Sequence, residues 1–302
     1  MRGVLNLFKN KYGELRCAWS IILVLVAMFF AEFFFSFAYY FFSYAFFGDG
    51  MYFSDTAMQV EMILMELLIF AVVLFLFRIV FRRDPSRMGL SFKGLGGDFF
   101  AGVVLGTVCI SAVALITVVT GYGSMIWVGF TSYNTRHILL DFILHLTVGL
   151  SEETLARGYL MTVSKTTRSR WFIISVSGII FGLLHIMNSG VTVLSLVNIA
   201  IIGVVFAFMF LKRGSIWMPV GFHFIWNFLQ GSLYGSAVSG LDVRSLINLT
   251  QVGPDIFTGG EFGFEGSIFT TIVTVLCLLA IIFIYPKSKY PQWIIEGDLP
   301  LN

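Results

Sequence analysis

LSEETLARGYLM, residues 150–161, sets Glu152, Glu153 and Arg157 directly after the apolar run DFILHLTVG. Further along, FGLLH ends on His185, and HFIWN begins with His223 and ends with Asn227. A carboxylate, two imidazoles and an amide are groups that can activate water and stabilise a tetrahedral oxyanion. Amide hydrolysis fits that set. Other proteolytic patterns are missing: the chain has no HExxH of a zincin, no GxSG of a membrane serine enzyme and no GxGD of a membrane aspartyl enzyme.

Helical angles divide the charged run. At about 100° per residue, Asp141, His145, Gly149 and Glu152 share a stripe about 80° wide, and Glu153 lies about 100° from Glu152. Arg157, four residues after Glu153, shares its face. The expectation is a Glu153–Arg157 lock and a free Glu152 able to serve as general base. His223, Asn227, Gln230 and Tyr234 fall within about 60° on a later helix, where Pro219 is placed to bend the chain. Counting helical rise inward gives depths of about 9 Å for Glu152, about 12 Å for His223 and about 21 Å for His185. Those depths disagree unless the helix carrying His185 enters late or tilts. Taken singly, each of these residues has an ordinary structural reading, as do Asp141, His145, Glu32, Glu61 and Glu66; the combination on three helices is what points to a site.

The elements that must hold these groups are membrane helices. Of the 302 residues, 58% are hydrophobic and only 12% charged, with a mean hydropathy of +0.89. Soluble domains carry about 25% charged residues. The fold class is all-α, a polytopic membrane bundle of about eight transmembrane helices near 17–47, 57–77, 98–120, 137–157, 171–189, 192–211, 215–235 and 267–285. The chain reads as one membrane-embedded domain, 1–302, with catalytic helices within 137–235 and a Gly-rich outer loop at 236–266. Arg2, Lys9, Lys11 and Arg16 precede the first helix. Arg78, Arg82, Arg83, Arg87 and Lys93 follow the second, and Lys165, Arg168 and Arg170 the fourth. Lys212 and Arg213 follow the sixth, and Lys287 and Lys289 the eighth. An eight-helix chain puts all of these on one side, so the positive-inside bias makes both termini cytoplasmic. The plasma membrane is expected in a bacterium and the ER membrane in a eukaryote. Cys17, Cys109 and Cys277 lie in separate apolar runs, without the spacing of a disulfide framework or a thiolate metal site. The small net charge of +2 gives no nucleic-acid surface.

EETLARG (152–158) resembles the EExxxR motif of the CAAX prenyl protease and bacteriocin-processing (CPBP, or Abi) membrane family, whose type II CAAX members are glutamate-dependent intramembrane endopeptidases. FGLLH (181–185) is similar to its FxxxH motif and HFIWN (223–227) to its HxxxN motif, in the family's order; GGEFGFEGS (259–267) resembles its bacterial branch. The resemblance implies Glu152 as the base that activates water, His185 as a positioning group for that water, and His223 with Asn227 as oxyanion stabilisers. It makes Glu153 and Arg157 supports. It favours no cofactor; zinc held by Glu152, His185 and His223 is the secondary mechanism. The implied partners are the lipid membrane and a peptide or lipidated-protein substrate within it, of CaaX or bacteriocin-related type. Two other classes remain open: a non-proteolytic scaffold or immunity protein, and a proton-coupled transporter using the same ionisable groups.

Overall fold

The computed structural model describes residues 7–9, 15–48, 54–92, 94–167, 169–242 and 244–285. Eight helices of 12 residues or more run through the described residues: α1 (Cys17–Phe47), α2 (Asp55–Val80), α3 (Leu95–Val119), α4 (Ser132–Glu153), α5 (Arg170–Leu183), α6 (Val193–Arg213), α7 (Trp217–Phe228) and α8 (Ile268–Phe283). A Ser or Thr starts many of them. The hydroxyls of Ser54, Thr131, Ser169, Thr192 and Ser267 each accept a backbone N–H of the following first turn, and Thr131 and Thr192 form capping boxes. Helices α1, α2, α3 and α6 are long and apolar enough to cross a membrane, and α5 and α8 are shorter apolar helices. The molecule is an α-helical membrane bundle. Its outer rim is aromatic, with Phe29, Phe33, Phe37 and Phe41 of α1 exposed where lipid chains would cover them.

Glycines bring the inner helices together. A Cβ on Gly221 of α7 would lie 2.1 Å from the Phe99 carbonyl oxygen, and one on Gly102 of α3 would lie 2.1 Å from that of Met218. The small-residue spacing of Gly102 and Gly106 thus seats α3 on α7. Gly178 and Gly182 play the same part for α5 on α6, against Ala200.

The sequence-drawn boundaries fail in three places. Helix α5 stops at Leu183, so His185 sits in the turn beyond it and not inside a helix reaching residue 189. Pro219 lies in the first turn of α7, where its missing N–H costs no helical bond, so it opens that helix and does not interrupt it. The loop 236–266 contains β2 (Ile247–Gln251), which pairs antiparallel with β1 (Gly123–Trp127) as a two-stranded ribbon. Alternation in such five-residue strands is too short to stand out in so apolar a chain.

Contacts between helices also resolve the conflict in depth. A Cβ on Gly158 would touch the Met88 carbonyl at 3.3 Å, and the next residue, Gly89, accepts the N–H of Ile216. Gly158 and the start of α7 therefore share a level, from which Glu152 and His223 are six and seven residues away. Ser177 bonds the Ala156 carbonyl, which brings Phe181, four residues on, to the height of Glu152. Counting from each helix start fails because these helices do not start at one level.

Arg16, Lys165 and Arg213 gather at one end: Cys17 Sγ meets Ser164 Oγ at 3.3 Å, and Arg213 pairs with Asp98 at 2.7 Å. Arg244 pairs with Asp55 at the opposite end. The basic residues Arg2, Lys11, Lys93, Arg168, Lys287 and Lys289, and the chain termini, lie outside the described residues.

Candidate active site

Just beyond Glu153, α4 widens into a π-helical segment, Thr154–Leu160, before closing again over Met161–Ser164. Such wide turns recur at functional sites because they re-aim side chains. Glu153 and Arg157 are both fully buried, and Arg157 Nη1 donates to Glu153 Oε1 at 2.9 Å. The lock expected from the angles is present. Arg157 Nη2 also donates to the Gly203 carbonyl at 2.9 Å, and its guanidinium lies over Phe181, 4.3 Å from the ring centroid, with Phe206 at 5.1 Å. The charged head is thus paired, hydrogen-bonded and sandwiched.

His223 joins the same carboxylate. Its Nδ1 lies 3.1 Å from Glu153 Oε1, and its ring stacks on Phe206 with centroids 5.6 Å apart. A carboxylate on Nδ1 holds the proton there and fixes the ring's orientation, leaving Nε2 turned away from Glu153. The motif histidine is therefore tied to Glu153, not to Glu152.

Glu152 looks the other way. It is half-buried, and its Oε2 has no hydrogen-bond partner. It lines a cavity of about 120 Å³ together with His185, His223 and Asn227. The four residues carried by the three motifs meet there. His185 donates from Nδ1 to the Phe181 carbonyl at 2.9 Å, so its Nε2 is not used in that bond. Asn227 is one turn after His223 on the same face of α7. Gln230 and Tyr234 do not follow them. A second π-helical segment, Leu229–Leu233, breaks the 3.6-residue period, and these side chains bond the Ala237 carbonyl and Ser111 Oγ instead.

Three ionisable cavity residues lie outside the site set expected from the sequence, Glu66 and His145 having been read as structural. Glu66 of α2 accepts the hydroxyl of Ser151, next to Glu152. His145 stands on the stripe that holds Glu152; that shared face was the signal, and a structural reading discounted it. Glu265, in the loop before α8, holds the N–H and hydroxyl of Ser239 with Oε2 at 2.7 and 2.8 Å. The Asn198 amide donates to the Glu265 and Ser267 carbonyls, both at 2.8 Å, and so pins this loop to α6. The loop 236–266 thereby supplies one wall of the cavity. Asp141 is not part of it: Gln59 and Ser232 hydrogen-bond its two oxygens at 2.6 and 3.1 Å.

Among the described residues no three His, Cys, Asp or Glu side chains come close enough together to hold a metal ion. Glu152, His185 and His223 line one cavity without forming such a group.

Residues 134–229 match the family model of the type II CAAX prenyl endopeptidase Rce1-like proteins. That segment contains all three motifs, so the family model and the motif resemblance agree on the same helices. No curated protein and no solved structure gives a significant match.

Proposed function

We propose, from this family match and the cavity beside it, that the protein is an intramembrane endopeptidase in which Glu152 activates water. One observation carries the reading: Glu152, His185, His223 and Asn227, from three separate motifs, line a single small cavity, and Glu152 is the one of its two neighbouring carboxylates left without a partner. A peptide carbonyl entering the cavity is attacked by a water whose proton passes to Glu152. His185, held by the Phe181 carbonyl, turns Nε2 toward that water and orients it. The oxyanion forms against the Nε2–H of protonated His223 and the Asn227 amide, donors fixed in advance by the fold. Collapse breaks the C–N bond as Glu152 returns its proton to the leaving amine. Glu153 and Arg157 hold His223 in place and take no part in proton transfer. No step passes through a metal.

The substrate class that suits a cavity walled by membrane helices is a membrane-held peptide or lipidated protein, with a prenylated CaaX-type C terminus as the first to test. In this reading both termini and the basic end of the bundle face the cytoplasm, in the plasma membrane of a bacterium or the ER membrane of a eukaryote.

The test is cleavage by purified protein in nanodiscs of a quenched-fluorescence membrane peptide library that includes farnesylated CaaX peptides. Cleavage by wild type and its loss in Glu152→Ala support the reading; equal turnover in Glu152→Ala defeats the glutamate mechanism. Activity lost on chelation and restored by zinc would return the metal mechanism. An immunity or partner phenotype persisting in Glu152→Ala, Glu153→Ala and His223→Ala would establish the scaffold instead, and pH-gradient-driven flux without a peptide product the transporter.

A further inference from the structure

His145 is 96% buried, yet neither of its ring nitrogens has a hydrogen-bond partner. Trp226 is 98% buried, and its Nε1–H is likewise without one. Both residues line the cavity that holds Glu152, whose Oε2 is the third side chain in the same condition. Four such atoms thus belong to residues lining one space, and buried polar groups in folded proteins almost always find a protein partner or an ordered water. The space is also large enough. A water needs about 10–15 Å³ of such volume, so a cavity of about 120 Å³ admits several, and the polar side chains on its largely apolar wall, together with neighbouring waters, can give each its two to four partners. Positions 144, 145, 148 and 152 lie on one face of α4, so His145 stands two turns from Glu152 with Val148 between, and Trp226 faces them from α7.

We propose that His145 and Trp226 hold a cluster of ordered waters against Glu152, and that this cluster supplies the water consumed in each turnover. The second half rests on the proteolytic reading; the first does not. An imidazole can both donate to and accept from water, and an indole N–H only donates, so together they can anchor a chain of waters at two points. A membrane enzyme has need of such a store, because its nucleophile must reach a site surrounded by apolar helices. His145 and Trp226 are positioning residues here, acting through water, and leave the proton transfers to Glu152.

Two measurements on the full-length protein in nanodiscs test this. Millisecond X-ray hydroxyl-radical labelling modifies side chains that touch ordered buried water. Trp226 is expected to label, relative to its intrinsic reactivity, at least fivefold faster than the equally buried Tyr159, and His145→Leu to abolish the difference. Equal labelling of Trp226 and Tyr159 in wild type overturns the cluster. On the peptide library, His145→Leu is expected to lower kcat at least tenfold with KM unchanged, and His145→Asn, which can still bond water, to recover most of it. An unchanged kcat in His145→Leu, or no recovery in a folded His145→Asn, overturns the supply role. A wild type that labels Trp226 but cleaves nothing supports the cluster and refutes the proteolytic reading.

Discussion

The two faces of α4 carry adjacent residues of the same type in opposite circumstances. Glu153 is fully buried, with Arg157 and His223 on one oxygen and two aromatic rings around the arginine. Glu152, one residue earlier, faces a largely apolar cavity with its Oε2 unpartnered. The difference follows from the roughly 100° turn between neighbours on a helix, which aims one carboxylate at α5 and α6 and the other at open space. A carboxylate buried as deeply as Glu153 needs a charged partner to be tolerated, which Arg157 supplies at Oε1 while Oε2 is left without a hydrogen bond. A free one is available for chemistry but holds nothing together. In the proposed reading the two tasks are separated by a single residue.

Removing the locked partner should do the most damage. Glu153→Ala leaves Arg157 charged and buried with only the Gly203 carbonyl, and breaking such a pair costs about 3–5 kcal/mol. It also frees His223 to rotate. The expected outcome is a large fall in thermal unfolding midpoint together with loss of cleavage. A variant with wild-type stability would remove the distinction between the two faces.

Glu152→Gln should separate the properties. It keeps shape and has no side-chain partner to lose, so the unfolding midpoint should stay near that of wild type while cleavage falls about 10²–10⁴-fold, the range for a lost general base. A destabilised Glu152→Gln would show that the cavity-side carboxylate holds structure after all. Asn227→Ala, on the same cavity but proposed only as an oxyanion donor, should cost about 10²–10³-fold in kcat with little change in stability.

How much of this was legible follows the same division. The apolar runs and the helical period are local, and the eight helices and the Glu153–Arg157 lock could be read from them. The heights of helices relative to one another are not local. They are set by contacts such as Gly158 on Met88 and Ser177 on Ala156, so counting from helix ends left His185 too deep. The π-helical segment at 229–233 breaks the period on which the stripe of Gln230 and Tyr234 was drawn. His145, Glu66 and Glu265 were visible as residues but not as neighbours, because three elements distant in sequence bring them to one cavity.

The smallest expected effect tests whether burial, and not pairing, makes the lock. Arg244 Nη2 and Asp55 Oδ2 lie 2.9 Å apart, the distance found between Arg157 and Glu153. Their side chains are 54% and 39% exposed, where the buried pair shows 0% on both sides. Exposed pairs are screened by water and salt and pay entropy to order two side chains, so they contribute about 0–1 kcal/mol. Arg244→Ala should therefore shift the unfolding midpoint slightly and leave kcat unchanged, with the shift shrinking further as salt is raised. A loss comparable to that of Glu153→Ala would mean that the ribbon end of the bundle is anchored as firmly as the site, and that contact distance alone ranks these pairs.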